Sequence, residues 1–494
     1  MRYLSNIVIL LFPTLIFSNN IQVRNVAIES QNQAQDFYMI SMDISWSNSW
    51  RTSTYESNWD AAWVFIKYTL KNQQAWDHAF LHYVDGTNDG HIAPSGCTIN
   101  TANNSTGNTN RGVGVFVYRS SDGIGDVSFQ NIQLRWDYGE NGLADDDIIE
   151  ISVNAIEMVY IPSGEFLVGD GQADFGQFEA GNTGNPFLIT SEASITLGGT
   201  NANNLSNNDA INMLNVDDFN YTTTRTLPAE FPKGFDPFYV MKYEASQEQY
   251  AEFLRRLTSE QKADRDGPHY VNTVNVFPVD DGNFWAEGEF PWRPMHYTSW
   301  MDMAAYLDWA GLRPMSELEY EKACRGPLTP VNNELAWGNS SWYINDFFLY
   351  ENENSPNETI IGGIGVGAGN ANSNSIYSGS ATPVRCGIFA ASATNKTRQE
   401  TGASYYGVME MSGNCYELVV SVGNANSRDF SGAHGDGIIT TSGNASFSVL
   451  LDWGFASAIG VGYRSSEIST RYGANYNNPD RELWHGIRGA RSAE

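Results

Sequence analysis

The feature that most narrows the fold is a change of hydrophobic period part-way along the chain. Up to about Ala155 the apolar residues recur at every second position or in short unbroken runs. Examples are "FYMISMDISW" (Phe37 to Trp46), "AAWVFIKYTL" (Ala61 to Leu70), "GVGVFVYRS" (Gly112 to Ser120) and "IIEISVNAIEMVYI" (Ile148 to Ile161). A period of two sends alternate side chains to opposite faces, as in a strand with one face buried. Turn clusters such as "DGTNDG" and "GENGLADDD" separate the runs, and no helical pattern interrupts them. Residues 20–155 are therefore predicted to form an antiparallel β-sandwich. Trp46, Trp50, Trp59, Trp63 and Trp76 are expected in its core, since aromatic rings bury large areas.

The period then lengthens. In "SQEQYAEFLRRLTSEQKAD" (Ser246 to Asp264), Tyr250, Phe253, Leu254 and Leu257 share one helical face. "TSWMDMAAYLDWAGL" (Thr298 to Leu312) does the same with Trp300, Ala304, Leu307 and Trp309, and Gly311 is placed to end it. Ser316 with Glu319 three residues on forms a capping box that starts a third helix, closed by Arg325, Gly326 and Pro327. Beyond it, Gly, Asn and Ser dominate. The fold class is mostly β with α+β character, and the change-over near residue 155 has no linker.

The formal net charge of −29 excludes nucleic acid and anionic membranes as partners, because phosphate binding needs clustered Lys and Arg. Residues 1–19 read as a secretory signal peptide: Arg2 precedes an apolar run from Ile7 to Phe17 that is too short to span a bilayer. The protein is thus expected to be exported, secreted or at the cell surface, and not membrane-spanning. Cys97, Cys324, Cys386 and Cys415 would then meet an oxidising compartment, with three pairings open. "DGTNDG" opens like an EF-hand loop, but Thr87 and Gly96 stand where acidic ligands belong, so it reads as a turn. "GGIGVGAGN" has no helix after it and is a loop rather than a phosphate cradle.

Six segments in fixed order carry more. They are "MVYIPSGEFLVGD" (Met158 to Asp170), "PFYVMKYEASQEQYAEFL" (Pro237 to Leu254) and "RPMHYTSWMDMAAYLDWAGLRPMSELEYEKACRG" (Arg293 to Gly326), then "AWGN" (Ala336 to Asn339), "YYGVMEMSGNCYEL" (Tyr405 to Leu418) and "GIRGAR" (Gly486 to Arg491). In this order they resemble the formylglycine-generating enzyme (sulfatase-modifying factor) family over residues 156–494. The resemblance implies a loop-rich fold like that of C-type lectins, with calcium ordering some loops. Carried over, it implies that Glu410 and Glu417 side chains and the Gly413 and Cys415 carbonyls hold one Ca2+. A second loop would use Asn372 and the carbonyl of Ser373. Hard carboxylate and carbonyl oxygens suit that ion.

The family's oxidation of a substrate cysteine uses two cysteines near the C-terminus that hold monovalent copper. The matching stretch here, "GVGYRSSEISTRYGANY" (Gly460 to Tyr476), has none, and Ser465 and Thr470 stand in their places. Hydroxyls do not ionise at neutral pH and do not hold Cu(I). His269, His296, His434 and His485 are scattered without the His/carboxylate pairing an iron site needs. The expectation is a scaffold that binds rather than oxidises, with Ca2+ and without copper. Its ligand, a glycan or a protein, would meet Arg464, Arg471, Tyr472, Tyr476 and Trp484, in a segment placed like the variable segment of retroelement-diversified receptors. A structural subunit that self-associates into an oligomer or filament through sandwich edges is a second expectation, and a formylglycine-generating oxidase a third.

Overall fold

A computed structural model describes residues 21–103, 111–171, 176–207, 213–265, 274–278, 284–343, 348–372, 383–446, 455–457, 466–475, 479–482 and 484–493. The expected signal peptide lies outside them.

Among the described residues, twelve strands share one sheet. Nine come early: β1 (Gln22–Asn32), β2 (Phe37–Arg51), β3 (Asp60–Leu70), β4 (Asp77–His78), β5 (Leu81–His82), β6 (Cys97–Asn103), β7 (Arg111–Arg119), β8 (Gly123–Trp136) and β9 (Ile149–Ile161). Three come later: β10 (Phe238–Met241), β11 (Arg313–Pro314) and β12 (Gly489–Ser492). The path runs β1-β2-β8-β5-β7-β3-β9-β10-β12-β11, with β4 against β3 and β6 against β7. Residue 155 lies inside β9, which pairs with β3 along one edge and β10 along the other.

Strand β3 explains how the early strands and the later chain become one body. Its even-numbered side chains Ala62, Val64, Ile66 and Tyr68 join Ile40, Ile44, Trp46, Val117 and Leu134 in an apolar layer enclosed by the early strands. Its odd-numbered Ala61, Trp63 and Phe65 face the other way, into a core built with Phe253, Met303, Leu307 and Trp309. Ten of its eleven residues are buried, the near-continuous apolar reading of a strand covered on both faces. Of the five tryptophans expected inside the sandwich, Trp46 is there, whereas Trp63 belongs to the core shared with the later chain. Trp50 and Trp59 pack at that boundary, and Trp76 lies under the Arg256 guanidinium.

Helices α1 (Gln247–Arg255), α2 (Ser259–Lys262) and α3 (Trp300–Trp309) follow, with Tyr250, Phe253, Trp300, Met303 and Leu307 of α1 and α3 in this second core. Helix α4 (Glu317–Arg325) instead sends Tyr320, Ala323 and Cys324 into a third cluster with Val159, Ile161, Phe238 and Val240. All four open on capping boxes, at Ser246, Thr258, Ser299 and Ser316. Among the described residues no helix is long and apolar enough to cross a membrane.

Candidate functional site

Residues 408–418 run beside the final segment of the chain. Tyr416 donates its N–H to the Trp484 carbonyl at 2.7 Å, and Gly486 donates to the Tyr416 carbonyl at 3.0 Å. This brings Arg488, from "GIRGAR", under the acidic loop. The guanidinium is fully buried; Nε and Nη2 donate to Glu417 Oε1 at 3.1 and 3.0 Å, and Nη1 and Nη2 to the carbonyls of Met241 and Met409. Glu244, from the segment leading into α1, stands 3.7 Å away and accepts the Cys415 N–H at 3.2 Å. Glu410 accepts the Gly387 N–H at 2.7 Å.

Three buried carboxylates thus face one guanidinium. Burial drives the acidity constants of Glu244, Glu410 and Glu417 upward; Arg488 opposes the shift, and mutual repulsion adds to it for Glu410 and Glu417. One oxygen each of Glu410 and Glu417, Oε2 in both, is buried without a hydrogen-bond partner among the described residues. Gly413 holds a φ of +107°, and a Cβ there would come within 2.9 Å of the Asn372 carbonyl oxygen, so only glycine suits the turn. Surplus negative charge and orphaned carboxylate oxygens are what a hard cation would satisfy. No group of three or more His, Cys, Asp or Glu side chains among the described residues is arranged to hold a metal. A cation here would therefore lean on backbone carbonyls as well.

The other sequence-predicted residues are spread more widely. Asn372 is buried and receives the Asn414 N–H at 2.9 Å on its carbonyl; Ser373 lies outside the described residues. So do Ser465, Arg464 and Tyr476. Thr470 is buried, its N–H on the Glu467 carbonyl. Arg471, expected to face a ligand, points inward: it is 3% exposed and is held by Asp217 and Glu317. Burial of this triad and stacking of Arg471 on Phe178 make it a brace for the loop, not a contact for a partner. Tyr472 and Trp484 remain partly exposed. Sequence reading missed Glu244 and Arg488 as members of the acidic cluster. Both sit in the segments that carried the family resemblance, but nothing local marks them as partners.

All four cysteines are buried and unpaired. Burial pushes the Cys97 thiol up to about 12 and those of Cys324, Cys386 and Cys415 well above their ordinary value. They stay protonated at neutral pH, and a thiol, unlike a thiolate, is a poor nucleophile and metal ligand.

The fold and cluster define a mostly β protein whose loop-rich part is closed over a buried arginine and its carboxylates. The chain belongs to the family described as sulfatase-modifying factor enzyme 1-like, whose model matches residues 149–491. Among curated proteins it is similar to the formylglycine-generating enzyme of Thermomonospora curvata, 32% identical over 127 residues, which cover 21% of this chain and 41% of that protein. It is also similar to the Bos taurus formylglycine-generating enzyme, 30% identical over 132 residues covering 22% of this chain and 34% of that protein. The aligned part thus spans less than half of either relative.

Proposed function

We propose that this chain is an exported, non-catalytic member of the family, with a lectin-like scaffold kept for ligand binding or display. The observation that carries this reading is the distribution of sulfur. No cysteine follows Cys415, and the four present are buried thiols rather than exposed thiolates. Copper(I) chemistry needs soft thiolate donors beside open space for a substrate.

In this reading Ca2+ is held by Glu410 and Glu417 through their unpartnered oxygens, with the Gly413 and Cys415 carbonyls. Bound there, it would supply positive charge that orders the loop. Arg488 and Glu244 position the two carboxylates from below. The ligand would meet the C-terminal segment through Arg464, Tyr472, Tyr476 and Trp484. A second reading, a formylglycine-generating oxidase, is favoured by the printed names of the two relatives. The test is oxygen consumption by the copper-supplemented protein with a Cys-Thr-Pro-Ser-Arg peptide. No turnover is expected; turnover that is lost in Ser465→Ala would overturn the non-catalytic reading.

A further inference from the structure

A buried amine stands between two carboxyl groups where the early strands meet the later chain. Asp60 opens β3, Glu157 lies in β9, and Lys242 directly follows β10. Strand register brings them together. Asp60 pairs with Val159 and Ala62 with Glu157, so Asp60 and Glu157 share one face of the sheet. Met241 pairs with Met158, and the Lys242 N–H donates to the Glu157 carbonyl at 2.9 Å. Lys242 Nζ then lies 3.2 Å from Asp60 Oδ2 and 3.0 Å from Glu157 Oε2, and all three side chains are at most 2% exposed. The rings of Trp50 and Tyr243 flank the amine, with centroids 4.9 and 5.5 Å away.

The two oxygens of Asp60 are held differently. Oδ1 accepts the Ser49 hydroxyl at 2.7 Å and the Trp50 N–H at 3.1 Å. Oδ2 accepts the Trp46 indole N–H at 2.9 Å and is the oxygen next to the amine. Attack of Nζ on the Asp60 carboxyl carbon would therefore leave negative charge on Oδ1, where two fixed donors already point. Glu157 Oε2 is placed to take a proton from Nζ, and Glu157 Oε1 is buried without a hydrogen-bond partner among the described residues.

The geometry points to a self-formed amide bond between Lys242 Nζ and the Asp60 carboxyl carbon, with Glu157 as the proton carrier. The C–N bond forms and the C–Oδ2 bond breaks. Two of the three ammonium protons leave with Oδ2 as water, at least one of them by way of Glu157. An ammonium and a carboxylate thus become a neutral amide and one water, and no other reactant is needed.

The surroundings favour that step. Burial works against the Lys242 charge, but Glu157, Tyr243 and Asp60 outweigh it, so the resting state is an ion pair. Burial pushes Glu157 up to about 7, against the pull of Lys242 and with the repulsion of Asp60. A carboxyl with that value both accepts and returns a proton at neutral pH. Condensation removes two charges that are costly to keep out of water, and the fold holds the reacting groups in contact. The linked residues are 182 apart in sequence, so the bond would close a long loop and restrict the unfolded chain. It depends on neither the cysteines nor the acidic cluster.

The test is mass spectrometry of the purified full chain, held overnight at neutral pH and then denatured. The intact mass should be lower than the mass of the same polypeptide by one water. Trypsin should fail to cut after Lys242, and fragment spectra should join peptide 52–67 to peptide 234–255 through Asp60 and Lys242. Lys242→Arg and Glu157→Gln should each restore the full mass and separate the peptides. The proposal is overturned if the parent has its full mass and is cut after Lys242. It is equally overturned if fragmentation places the link at Glu157 or elsewhere, or if either variant keeps the mass deficit. Should a variant fail to fold, the parent's digest decides alone.

Discussion

Arg491 lays its guanidinium over the indole of Trp63, 5.0 Å from the ring centroid, joining the last strand to the third. The same side chain donates from Nη1 to the Gly311 carbonyl and from Nη2 to the Asn103 carbonyl, both at 2.6 Å. Trp63 in turn donates to the Ala310 carbonyl at 2.7 Å. A family-range residue therefore fastens the strands that precede the family range, and the two regions share one core.

Removing Arg491 should destabilise the whole chain at once. Arg491→Ala removes the hydrogen bonds to two carbonyls and deletes a desolvated cation–π contact, a loss on the order of 3 kcal/mol. Urea denaturation followed by both near- and far-ultraviolet circular dichroism should give one coincident transition, shifted to lower urea. Two separated transitions would mean that the early strands fold as an independent unit and the shared core couples them weakly.

What the sequence revealed was whatever is encoded locally. Ser316 and Glu319 announced the start of α4 because a capping box needs only residues three apart, and Tyr250, Phe253, Leu254 and Leu257 are all buried as their spacing requires. The helix expected from Ser246 onward breaks in two because Thr258 begins a second cap. The turns of helix at Ile388–Ser392, Arg398–Thr401 and Ala425–Arg428 went unread, since four or five residues show no period. Pairings over long separations were invisible: β9 with β10, Arg488 with Glu417 and Glu244, and Arg471 with Asp217 and Glu317. Of the acidic site, the loop was legible and its arginine was not.

Calcium should raise the thermal midpoint and a chelator should lower it. A ligand that binds only the folded state stabilises by RT ln(1 + [L]/Kd), about 2.7 kcal/mol at one hundred times Kd. Glu410→Gln and Glu417→Gln should each abolish the calcium dependence measured by differential scanning fluorimetry. A midpoint indifferent to both calcium and chelator would mean that Arg488 alone balances these carboxylates.

Acid should unfold the protein partly through His296. Burial lowers its pKa to about 4 from the ordinary 6.5, and its Nε2 has no hydrogen-bond partner among the described residues. A histidine whose folded value is depressed contributes stability that is complete above pH 6.5 and is lost as pH falls towards 4. The slope is up to about 1.4 kcal/mol per pH unit within that window. Chemical denaturation at a series of pH values should show a shallower acid limb for His296→Gln than for the parent. Parallel limbs would show that the imidazole is already hydrated or charged in the native state.

The start of α4 separates a cap from a buried ion pair. Ser316 accepts the Glu319 N–H at 3.1 Å and donates its hydroxyl to the Pro232 carbonyl at 2.7 Å. The Glu319 carboxylate accepts the Ser316 N–H at 2.9 Å and two bonds from the buried Arg313 guanidinium, at 2.8 and 2.6 Å. Ser316→Ala removes the cap and one hydroxyl bond, about 2 kcal/mol together. Glu319→Gln keeps the shape but leaves the Arg313 charge buried without its carboxylate, and breaking such a pair costs about 3–5 kcal/mol. Equilibrium unfolding should therefore rank Glu319→Gln as the more damaging change by roughly 2 kcal/mol. The reverse order would mean that Arg313 is neutralised elsewhere and that the box holds α4 chiefly by its cap.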